Sequence, residues 1–472
     1  MLATPEWIRA AAQAGRLVEL FPQWRKIPLY RESLARHSSG LAGLPVITKR
    51  DMRAGFPHNF LSNTDALDDL LAKELVEIEH TSGTSEDRLP VIMPRGWWNE
   101  QEERALRLNQ FVARVLDEAP NARRATLTAP ACNGLTCPTV WMSQAQRTIG
   151  NTLYVNLARI PFVLSDAELQ RMADEIAAWS PQFLDLDPVH GVWFALFCER
   201  RGIRFPSVRF VICSYEFVSV VHRRILQRVF GGPVFNLYGS TETGHLLMEN
   251  EAGEMKPSYE TAVLEVVEED ELLAASERQI SSLEPEHLLS PSLSSILNGG
   301  EGGRRPGEEG LCGFGVQSRN LASGRGVAAT SDAVGTLLVT TLSNDYMPLL
   351  RYRIGDLVQR HERAYGTDYT IHGRMRDALT AIDGRRVTTW QVDQCFAGVA
   401  GIAHYQLRQT SRAGFHLRYI PDRAGMDSNS LKELAARLTT LLGAPVQVES
   451  VPTLLPEASG KFRLTCRTDP TT

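Results

Sequence analysis

The sequence predicts an α/β protein in which a large N-terminal domain of mostly parallel sheets, covered by helices, precedes a small α+β C-terminal domain. Strand and helix patterns alternate between residues 124 and 237, and such alternation favours a mostly parallel sheet. The chain of 472 residues is longer than one typical hydrophobic core, so at least two domains are expected. The final stretch of about 100 residues, with short strands and a helix, is long enough for a small α+β domain.

Helical and polar patterns dominate the first part of the chain, up to about residue 75. The first helix is expected to begin near Thr4 and Pro5, which suit the N-cap and N1 positions. The stretch Leu75–Glu79 alternates apolar and polar residues as a strand does. Apolar residues then recur with helical period from Trp97 to Glu118, which predicts a single helix capped by Asn99 or a neighbour.

The alternating region supplies the elements of the predicted sheet. Each strand is a short apolar run, and each helix has apolar residues at helical spacing. The strands are expected at 124–130, 181–186, 208–213 and 234–237, and the helices at 166–179, 188–201 and 219–230.

The segment 275–330 differs from the rest of the chain, because it strings Ser, Gly, Glu, Pro and Arg together without periodicity. Such a composition buries too little apolar area to offset the entropy of ordering, so we expect a flexible insertion. A tolerated surface loop is the favoured interpretation, and a partner-binding segment is the alternative. Further strands are expected at 335–342, 350–358 and 446–451, with a helix at 428–442. The two domains are therefore placed at 1–373 and 374–472.

Bulk composition excludes several classes of protein. Apolar residues make up 43% and charged residues 22%, as in ordinary soluble globular proteins. The net charge of −5 gives no electrostatic footprint for nucleic acid or an anionic membrane. No apolar run approaches the roughly 20 residues that span a bilayer, and the N-terminus lacks an apolar signal core, so the cytoplasm is the expected location. Seven scattered cysteines argue against a disulfide framework, and no cluster of four zinc ligands is evident.

The stretch Phe235–Gly244 carries the strongest chemical signal. Its sequence, FNLYGSTETG, predicts a buried strand that leads into a tight glycine turn with a hydroxyl-rich, acidic tip. Ligands of open α/β sheets bind just beyond the carboxyl ends of strands. Tyr238 offers a flat ring, Gly239 allows close backbone approach, and Thr241 brings a hydroxyl. Glu242 brings a carboxylate that can hold Mg²⁺. The alternative is a surface hairpin turn that happens to contain Gly, Ser and Thr.

Three further motifs occur with this one in a consistent order. They are HTSGTSEDRLP at 80–90, RYRIGDL at 351–357 and PEASGK at 456–461. With YGSTE at 238–242 they resemble the adenylate-forming superfamily, and within it the phenylacetate-CoA ligase branch. The segment LPVITKRDMRAGFP at 44–57 resembles the lead-in to the phosphate loop of that branch. One such motif is a weak signal, but four in order form a specific one. The resemblance implies a large adenylation domain followed by a small, mobile lid domain.

The first motif is similar to the loop that holds the β- and γ-phosphates of ATP in that family. Backbone N–H groups and hydroxyls around a glycine can cradle an anionic polyphosphate. The resemblance implies that role for Thr81, Ser82, Gly83, Thr84 and Ser85. The chain then departs from the family pattern, because Glu86 replaces the usual glycine and Leu89 the usual lysine. Arg88 is the candidate replacement for the missing cation.

The resemblance also assigns the rest of the nucleotide. The implied adenine- and ribose-binding residues are Ser214, Tyr215, Glu216, Tyr238, Gly239, Ser240, Asp356 and Arg374. Tyr215 could stack on the base, and Asp356 could accept hydrogen bonds from both vicinal ribose hydroxyls. The residues alone leave plainer alternatives open, namely a tyrosine that covers the sheet end and an ordinary turn aspartate.

Two features of the C-terminal part are assigned by the same resemblance. The stretch GRMRD at 373–377 is similar to the family's hinge, which places the hinge residue at Arg376 or Asp377. Such a hinge lets the small domain rotate between two half-reactions. Lys461 is expected to stabilise the charge that develops between carboxylate and α-phosphate as pyrophosphate leaves. Taken alone, each of these charged residues is an ordinary surface group.

The acyl pocket is assigned to Asn133, Gly134, Phe217, Tyr238 and Gly239. Small residues around an aromatic wall suit a flat aryl acid, since ligand pockets are mostly apolar with a few polar anchors. The choice of an aryl acid, such as a benzoate, an anthranilate or a phenylacetate, follows from the branch that the chain resembles.

The sequence therefore predicts an AMP-forming acyl- or aryl-CoA ligase that uses ATP, Mg²⁺ and coenzyme A. Lys461, Glu242 and Thr241 are its expected catalytic residues, with Glu242 as the metal ligand, and positioning and charge stabilisation drive the chemistry. One alternative is a ligase that loads an acyl carrier protein or an amine. Another is a non-catalytic nucleotide-binding relative, which the changes at Glu86 and Leu89 favour. The expected partners are a carboxylic acid and coenzyme A, a homodimer is left open, and neither nucleic acid nor membrane is expected.

Overall fold

The computed structural model describes residues 6–36, 40–61, 65–81, 88–128, 142–158, 160–268, 333–364, 366–422, 425, 427–456 and 460–467. Within these ranges the chain is a mixed α/β structure with one twelve-stranded and one four-stranded sheet, so the predicted fold class is confirmed. The predicted insertion at 275–330 lies outside these ranges. No helix in the described part of the chain is both long and apolar enough to cross a membrane.

Short helices and one hairpin form the N-terminal part. They are α1 (Glu6–Trp24), α2 (Arg31–Arg36), α3 (Lys49–Arg53), α4 (Asp65–Ala72), β1 (Val76–His80) and β2 (Pro90–Pro94). The strands β1 and β2 pair antiparallel. Trp24, Tyr30 and Met52 are buried in one core with Tyr352, which is distant in sequence. The N-terminal helices are thereby packed against the twelve-stranded sheet.

The single helix predicted over 97–118 is two helices, α5 (Trp97–Leu106) and α6 (Gln110–Glu118). That prediction is wrong because Asn109 caps a new helix: its side-chain oxygen accepts a hydrogen bond from the Val112 amide at 2.9 Å. The Asn109 side-chain amide also donates to the Glu249 carbonyl at 2.9 Å, which fixes the break against the sheet. The expected cap near Asn99 is wrong as well, since α5 starts after Gly96, whose φ is 77°.

Within the large sheet, parallel pairing is confined to five adjacent strands toward one edge. The strands of this region are β3 (Arg124–Leu127), β4 (Thr148–Ile149), β5 (Thr152–Tyr154), β6 (Phe183–Leu186), β7 (Phe210–Cys213) and β8 (Val234–Ser240). In the order β5, β3, β6, β7, β8 they run parallel. The crossovers run through α7 (Asp166–Trp179), α8 (Pro188–Arg201) and α9 (Val220–Phe230).

Local capping explains why these helices begin and end where they do. Ser165, Asp187 and Ser219 occupy the N-caps, and each side chain accepts a hydrogen bond from a first-turn amide. Gly202 and Gly231 end α8 and α9 in the left-handed conformation. The helices predicted at 166–179 and 188–201 are confirmed with those bounds.

The rest of the large sheet is antiparallel. Its strands are β9 (Gly244–Glu249), β10 (Met255–Pro257), β11 (Ala262–Val267), β12 (Val334–Thr341), β13 (Tyr352–Arg363) and β14 (Gly366–Arg374). The whole order is β11-β12-β13-β14-β10-β9-β8-β7-β6-β3-β5-β4. The expected parallel pairing gives way here because most consecutive strands are joined by hairpins, which are too short for a parallel crossover.

The C-terminal part forms its own four-stranded sheet in the order β19-β18-β17-β20. Its elements are β15 (Leu379–Thr380), β16 (Arg386–Val387), α10 (Thr389–Gln394), β17 (Ile402–Gln409), β18 (Phe415–Pro421), α11 (Ser428–Leu442), β19 (Val446–Ser450) and β20 (Thr465–Arg467). The strand predicted at 446–451 is not the last one, because β20 pairs parallel with β17; its three residues are too few for a periodic signal. The domain boundary at 373/374 falls at the end of β14 and stays a prediction.

A continuous hydrophobic core joins α8 and α9 to the C-terminal sheet, and we call it the shared core. It contains Val192 and Ile225 on one side and Leu417 and Leu434 on the other. Polar pairs cross the same interface. Asp393 accepts hydrogen bonds from the Ser219 hydroxyl at 2.5 Å and the Val220 amide at 2.9 Å. The interface is therefore both apolar and specifically hydrogen-bonded.

A buried histidine pair also lies across this interface. His222 Nε2 on α9 is 3.0 Å from His404 Nδ1 on β17, and both side chains are buried. Burial lowers the pKa of His222 to about 3 and that of His404 well below its usual value. Both imidazoles are therefore neutral in the folded protein at any pH near neutrality.

We expect the protein to lose stability as the pH falls below about 6.5, the pKa of an unfolded histidine. Above that pH neither state binds the proton, whereas below it only the unfolded chain does, so each such histidine removes up to about 1.4 kcal/mol per pH unit. His190, His245 and His372 add to the trend, because burial lowers the pKa of each. Urea unfolding of the wild type between pH 7 and 5 measures the slope.

His222→Asn should make that slope shallower, by about one proton's worth. His58→Asn is the control, because His58 is exposed in the N-terminal part, and it should leave the slope as in the wild type. Equal slopes for all three proteins would show that the buried pair does not titrate on unfolding.

Candidate active site

The tip of the β8–β9 hairpin carries the central motif. The strand β8 runs on to Ser240, so Gly239 lies within the strand, and residues 241–243 form the turn. The expected tight turn at Gly239 is therefore wrong. A Cβ atom at Gly239 would lie only 2.2 Å from the Gly244 carbonyl oxygen, so the close approach of the two strands requires glycine there. The sequence correctly indicated a close backbone approach at Gly239, but the backbone that approaches it is that of the neighbouring strand β9.

The hydroxyls of the motif lie in and beside this turn. Thr241 is half-buried, and the hydroxyls of Ser240 and Thr243 are 2.9 Å apart. This hydrogen bond closes the turn and leaves Glu242 at its centre. The turn therefore presents one carboxylate flanked by hydroxyl groups.

Glu242 is a buried, charged carboxylate, with only 3% of the residue exposed. Its Oε1 accepts a hydrogen bond from the Tyr352 hydroxyl at 2.8 Å and lies 3.7 Å from Lys49 Nζ. Burial by itself raises the pKa of Glu242, but the Lys49 charge and the hydrogen bonds outweigh it and lower the pKa. The side chain is thus ionised at neutral pH.

Lys49 was not among the residues predicted for the site. It opens α3 directly after Thr48, whose side chain and backbone form a capping box with Asp51. This cap fixes the start of the helix and with it the position of the lysine. A signal was present, since Lys49 belongs to the segment 44–57 that resembles the lead-in to the phosphate loop.

Asp356 forms a second polar centre with two predicted partners. Tyr238 donates its hydroxyl to Asp356 Oδ2 at 2.6 Å, and Arg374 Nε lies 3.1 Å from Oδ1. The contact follows from register, since Asp356 on β13 pairs with Arg374 on β14. Asp356 raises the pKa of Arg374 above its usual value, while burial and then Asp356 raise that of Tyr238. The structure thus brings together three residues that the sequence assigned to the nucleotide.

The two carboxylates share one electrostatic environment. Burial raises the pKa of Tyr352, and Glu242, Arg374 and Asp356 all act on the same phenol. Glu242 likewise acts on Tyr238. Tyr352 thus lies between Glu242 and the cluster of Asp356, Arg374 and Tyr238, a position that the sequence did not indicate.

Lys461 docks against the predicted adenine segment. Its Nζ donates a hydrogen bond to the Tyr215 carbonyl at 3.0 Å, and the Phe462 amide donates to Glu216 Oε1 at 2.7 Å. Gly460, just before the lysine, has φ of 89°, a conformation that favours glycine. The loop from the C-terminal part thereby reaches the end of β7 in the large sheet.

The side chains of Ser214 and Tyr215 both hydrogen-bond Asp185, at 2.8 and 2.9 Å. Burial raises the pKa of Asp185. Tyr215 has φ of 72°, which is rare for a residue with a side chain and is found disproportionately at functional sites. The Tyr215 hydroxyl is held at Asp185 on β6. Asp185 was not singled out from the sequence.

Only the ends of the predicted phosphate loop are described. Thr81 is buried, and its Oγ1 accepts a hydrogen bond from the Leu89 amide at 3.0 Å. Ser82, Gly83, Thr84 and Ser85 lie outside the described residues. Leu89, at the position of the lysine that is usual in the resembled family, is fully buried in the core that contains Trp24 and Tyr352. Arg88 is exposed. The position of the family's lysine is thus a core position in this chain.

The predicted acyl-pocket residues are only partly visible as a group. Asn133 and Gly134 lie outside the described residues. Phe217 packs against the shared core, whereas Tyr238 packs against the core that contains Trp24 and Tyr352. The structure therefore does not place these two aromatic rings in one cluster.

The predicted hinge forms a single turn of 3₁₀ helix, Met375–Asp377. Asp377 is largely buried and pairs with Arg463, which belongs to the loop after Lys461. The Arg376 side chain is 65% exposed. Arg376 Nε lies 3.7 Å from Asp377 Oδ1, and Asp377 in turn joins this turn to the loop that carries Lys461.

Glu242 is the candidate ligand for a divalent cation. No group of three or more His, Cys, Asp or Glu side chains gathers into a metal cluster among the residues with assigned positions. A single ionised oxygen donor nevertheless fits Mg²⁺, which usually binds one or two carboxylates and takes its other ligands from water and phosphates. The donor set thus suits Mg²⁺ delivered with a nucleotide.

The fold is similar to that of solved ligases, although no protein-family model and no curated protein sequence matches the chain. A 2-hydroxyisobutyryl-CoA ligase in the postadenylation state with R3-HIB-AMP has a TM-score of 0.65 and 16% identity, over 99% of this chain and 91% of that one. The same ligase in the thioesterification state with 2-HIB-AMP and CoA has a TM-score of 0.51 and 15% identity, over 98% and 91%. An anthranilate CoA ligase with anthranoyl-AMP has a TM-score of 0.53 and 11% identity, over 83% and 66%.

These similarities extend over 83–99% of the chain. Identities of 11–16% establish architecture and nothing finer. The chain has the fold of these CoA ligases.

Proposed function

We propose that the protein is an AMP-forming acid–thiol ligase. In the first half-reaction a carboxylate oxygen attacks the α-phosphorus of ATP, and pyrophosphate leaves. In the second, the thiol of coenzyme A attacks the acyl carbon, and AMP leaves. Both steps need positioning and charge stabilisation rather than a protein nucleophile.

One observation carries this proposal. Two polar centres built from distant parts of the chain lie at the same end of the sheet, where β7 and β8 end. The first joins Tyr238, Glu242 and Asp356 with Arg374. The second is Lys461 on the carbonyl of Tyr215. A carboxylate pair with hydroxyls and two cations suits a nucleotide and a reacting carboxylate better than a neutral ligand.

Asp356 is proposed to hold the ribose. Each of its oxygens already accepts one contact, from Arg374 and from Tyr238. An ionised carboxylate offers about four lone-pair sites, so two remain for a vicinal diol. Arg374 and Tyr238 would hold the carboxylate in a fixed orientation. The carbonyls of Ser214, Tyr215 and Glu216 are the proposed adenine contacts.

Glu242 is proposed to hold Mg²⁺, with Thr241 as a neighbouring hydroxyl. When bound, the ion would neutralise charge on the phosphates of ATP. Lys49 balances the Glu242 carboxylate in the structure and would turn to the phosphates as the cation arrives. Thr81 marks the start of the proposed phosphate loop.

Lys461 is proposed to act in adenylation. The C-terminal part is then proposed to rotate about Arg376 and Asp377, which would separate the two sides of the shared core. The Nζ of Lys461 lies beside the proposed adenine segment, within reach of a nucleotide bound there. An aryl acid is the proposed substrate and coenzyme A the proposed acceptor. The alternative acceptor is an acyl carrier protein or an amine, either of which would take the acyl group from the same acyl-adenylate.

Carboxylate-dependent ATP–pyrophosphate exchange tests the proposal. The panel should hold benzoates, phenylacetates, aminobenzoates and short fatty acids, each with Mg²⁺ and labelled pyrophosphate. Exchange with one class is expected and would establish adenylation. Coenzyme A, an acyl carrier protein and an amine added in turn would identify the acceptor. Silence across the panel, with ATP still binding, would favour the non-catalytic relative, which the buried Leu89 already makes worth testing.

A further inference from the structure

The segment 214–219, which joins β7 to α9, is held by the C-terminal part of the chain at both of its ends. Its first residues contact the residues 460–464, which we call the lysine loop. The Tyr215 carbonyl accepts a hydrogen bond from Lys461 Nζ at 3.0 Å, and Glu216 Oε1 accepts one from the Phe462 amide at 2.7 Å. The last residue of the segment is Ser219, the N-cap of α9. This end contacts a different element of the C-terminal part.

The second contact is made by Asp393 on α10, a residue that is only 1% exposed. Its Oδ1 accepts a hydrogen bond from the Ser219 hydroxyl at 2.5 Å, and its Oδ2 accepts one from the Val220 amide at 2.9 Å. Tyr405 of β17 also donates its hydroxyl to Oδ1, at 2.8 Å. One buried carboxyl group thus joins the start of α9 to the C-terminal sheet.

Asp393 completes the hydrogen bonding at the start of α9. The first amides of a helix have no partner within the helix. The Ser219 side chain accepts a hydrogen bond from the Val221 amide at 3.1 Å, whereas the Val220 amide is bound by Asp393. Rotation of the C-terminal part would carry Asp393 away from both donors. The contact therefore stabilises only the arrangement in which the C-terminal part is docked on α9.

Asp393 and the lysine loop are also connected within the C-terminal part. Tyr405, which binds Asp393, lies on β17. The strand β17 pairs with β20, which begins at Thr465, directly after the lysine loop. Because one sheet joins the two contacts, releasing Asp393 from α9 is expected to loosen the lysine loop from Tyr215 as well.

We propose that Asp393 is a positioning residue for adenylation, which holds Lys461 against the segment 214–219 by binding the start of α9. This inference rests on the proposed function. Asp393 acts through Lys461 and not on the reactants themselves, because its carboxyl group is occupied by Ser219, Val220 and Tyr405. Its loss should slow the first half-reaction, which needs the docked arrangement, and spare the second, which follows the rotation.

Asp393→Ala is expected to lower the rate of ATP–pyrophosphate exchange by about tenfold, because it leaves buried donors without their acceptor in the docked arrangement. Transfer of the acyl group from supplied acyl-adenylate to coenzyme A should be unchanged or faster. Asp393→Asn keeps one acceptor oxygen and should restore part of the pyrophosphate exchange. Asp427→Ala is the matched control, since the Asp427 carboxylate caps α11 within the C-terminal part. It should leave the ratio of the two half-reactions as in the wild type.

Hydrogen–deuterium exchange measures the placement of the lysine loop without turnover. The Phe462 amide, which is bound by Glu216, should exchange about tenfold faster in Asp393→Ala than in the wild type, as expected when docking weakens by the same factor. The amides of β18 should keep their wild-type rates. In Asp427→Ala the start of α11 should exchange faster, and the Phe462 amide should be unchanged.

These measurements separate the two proposals. If no acid supports pyrophosphate exchange but the Phe462 amide exchanges faster in Asp393→Ala alone, the proposed function is wrong and Asp393 still places the lysine loop. An unchanged Phe462 amide, or a wild-type rate of pyrophosphate exchange in Asp393→Ala, would overturn the role of Asp393. So would an equal loss of both half-reactions or faster amide exchange throughout the C-terminal sheet, because either would show a merely structural residue.

Discussion

Lys461→Ala is expected to lower the rate of adenylation by a factor on the order of 10² to 10³, the usual effect of removing one group that stabilises developing charge. Lys461 lies on the loop that docks against Tyr215, so in the closed arrangement its ammonium is close to the proposed nucleotide. Transfer of the acyl group from supplied acyl-adenylate to coenzyme A should be largely intact. Separate assays of pyrophosphate exchange and thioester formation measure the two steps.

Lys432→Ala is the matched control, because Lys432 is exposed on α11 of the same C-terminal part. It should leave both half-reactions unchanged. Equal loss of both steps in Lys461→Ala would contradict the assigned role and would point to a structural contribution of the lysine loop.

Glu242→Gln is expected to lower exchange by a factor on the order of 10², comparable to the loss of an important ligand-holding group, and to raise the Mg²⁺ concentration needed for half-maximal activity. The amide can still accept the Tyr352 hydroxyl, so the turn should remain folded. Lys49 loses its counter-charge, but its side chain is 38% exposed, so the change in unfolding free energy should stay below about 1 kcal/mol.

Stabilisation of the protein by Mg·ATP in thermal unfolding gives a second measure that does not depend on turnover. The shift should shrink in Glu242→Gln and be unchanged in Glu260→Gln, since the Glu260 side chain is 72% exposed on the surface. Lost exchange with an unaltered Mg²⁺ requirement and an unaltered thermal shift would show that Glu242 is not the metal ligand.

Local elements were largely predictable from the sequence. Ser165 and Asp187 cap their helices, and Gly202 ends one, so α7 and α8 were expected with the bounds that the structure shows. Caps and apolar periodicity act over a few residues, and a few residues of sequence contain them. The failed prediction of a single helix over 97–118 involves a distant contact as well: Asn109 caps a new helix, and its side-chain amide also donates to the Glu249 carbonyl, 140 residues away.

Most residues of the candidate site could be predicted from the sequence, but the contacts between them could not. The motifs named Tyr238, Glu242, Asp356 and Lys461, yet no pattern in the sequence pairs Tyr238 with Asp356, which are 118 residues apart. Lys49 and Tyr352 were missed as partners of Glu242 for the same reason. Asp185 was missed because an aspartate within a strand carries no sequence signal of burial.

The sequence by itself determined the α/β class, the helices and strands of the parallel region, and the order of motifs that predicted the fold. The tertiary structure alone decided which strands run antiparallel, which residues surround Glu242 and Asp356, and which polar groups stay unpaired. The physical reason is the separation along the chain between the residues that interact. Capping, periodicity and turn chemistry are properties of neighbouring residues, whereas register, burial and charge pairing depend on residues that only the folded chain brings into contact.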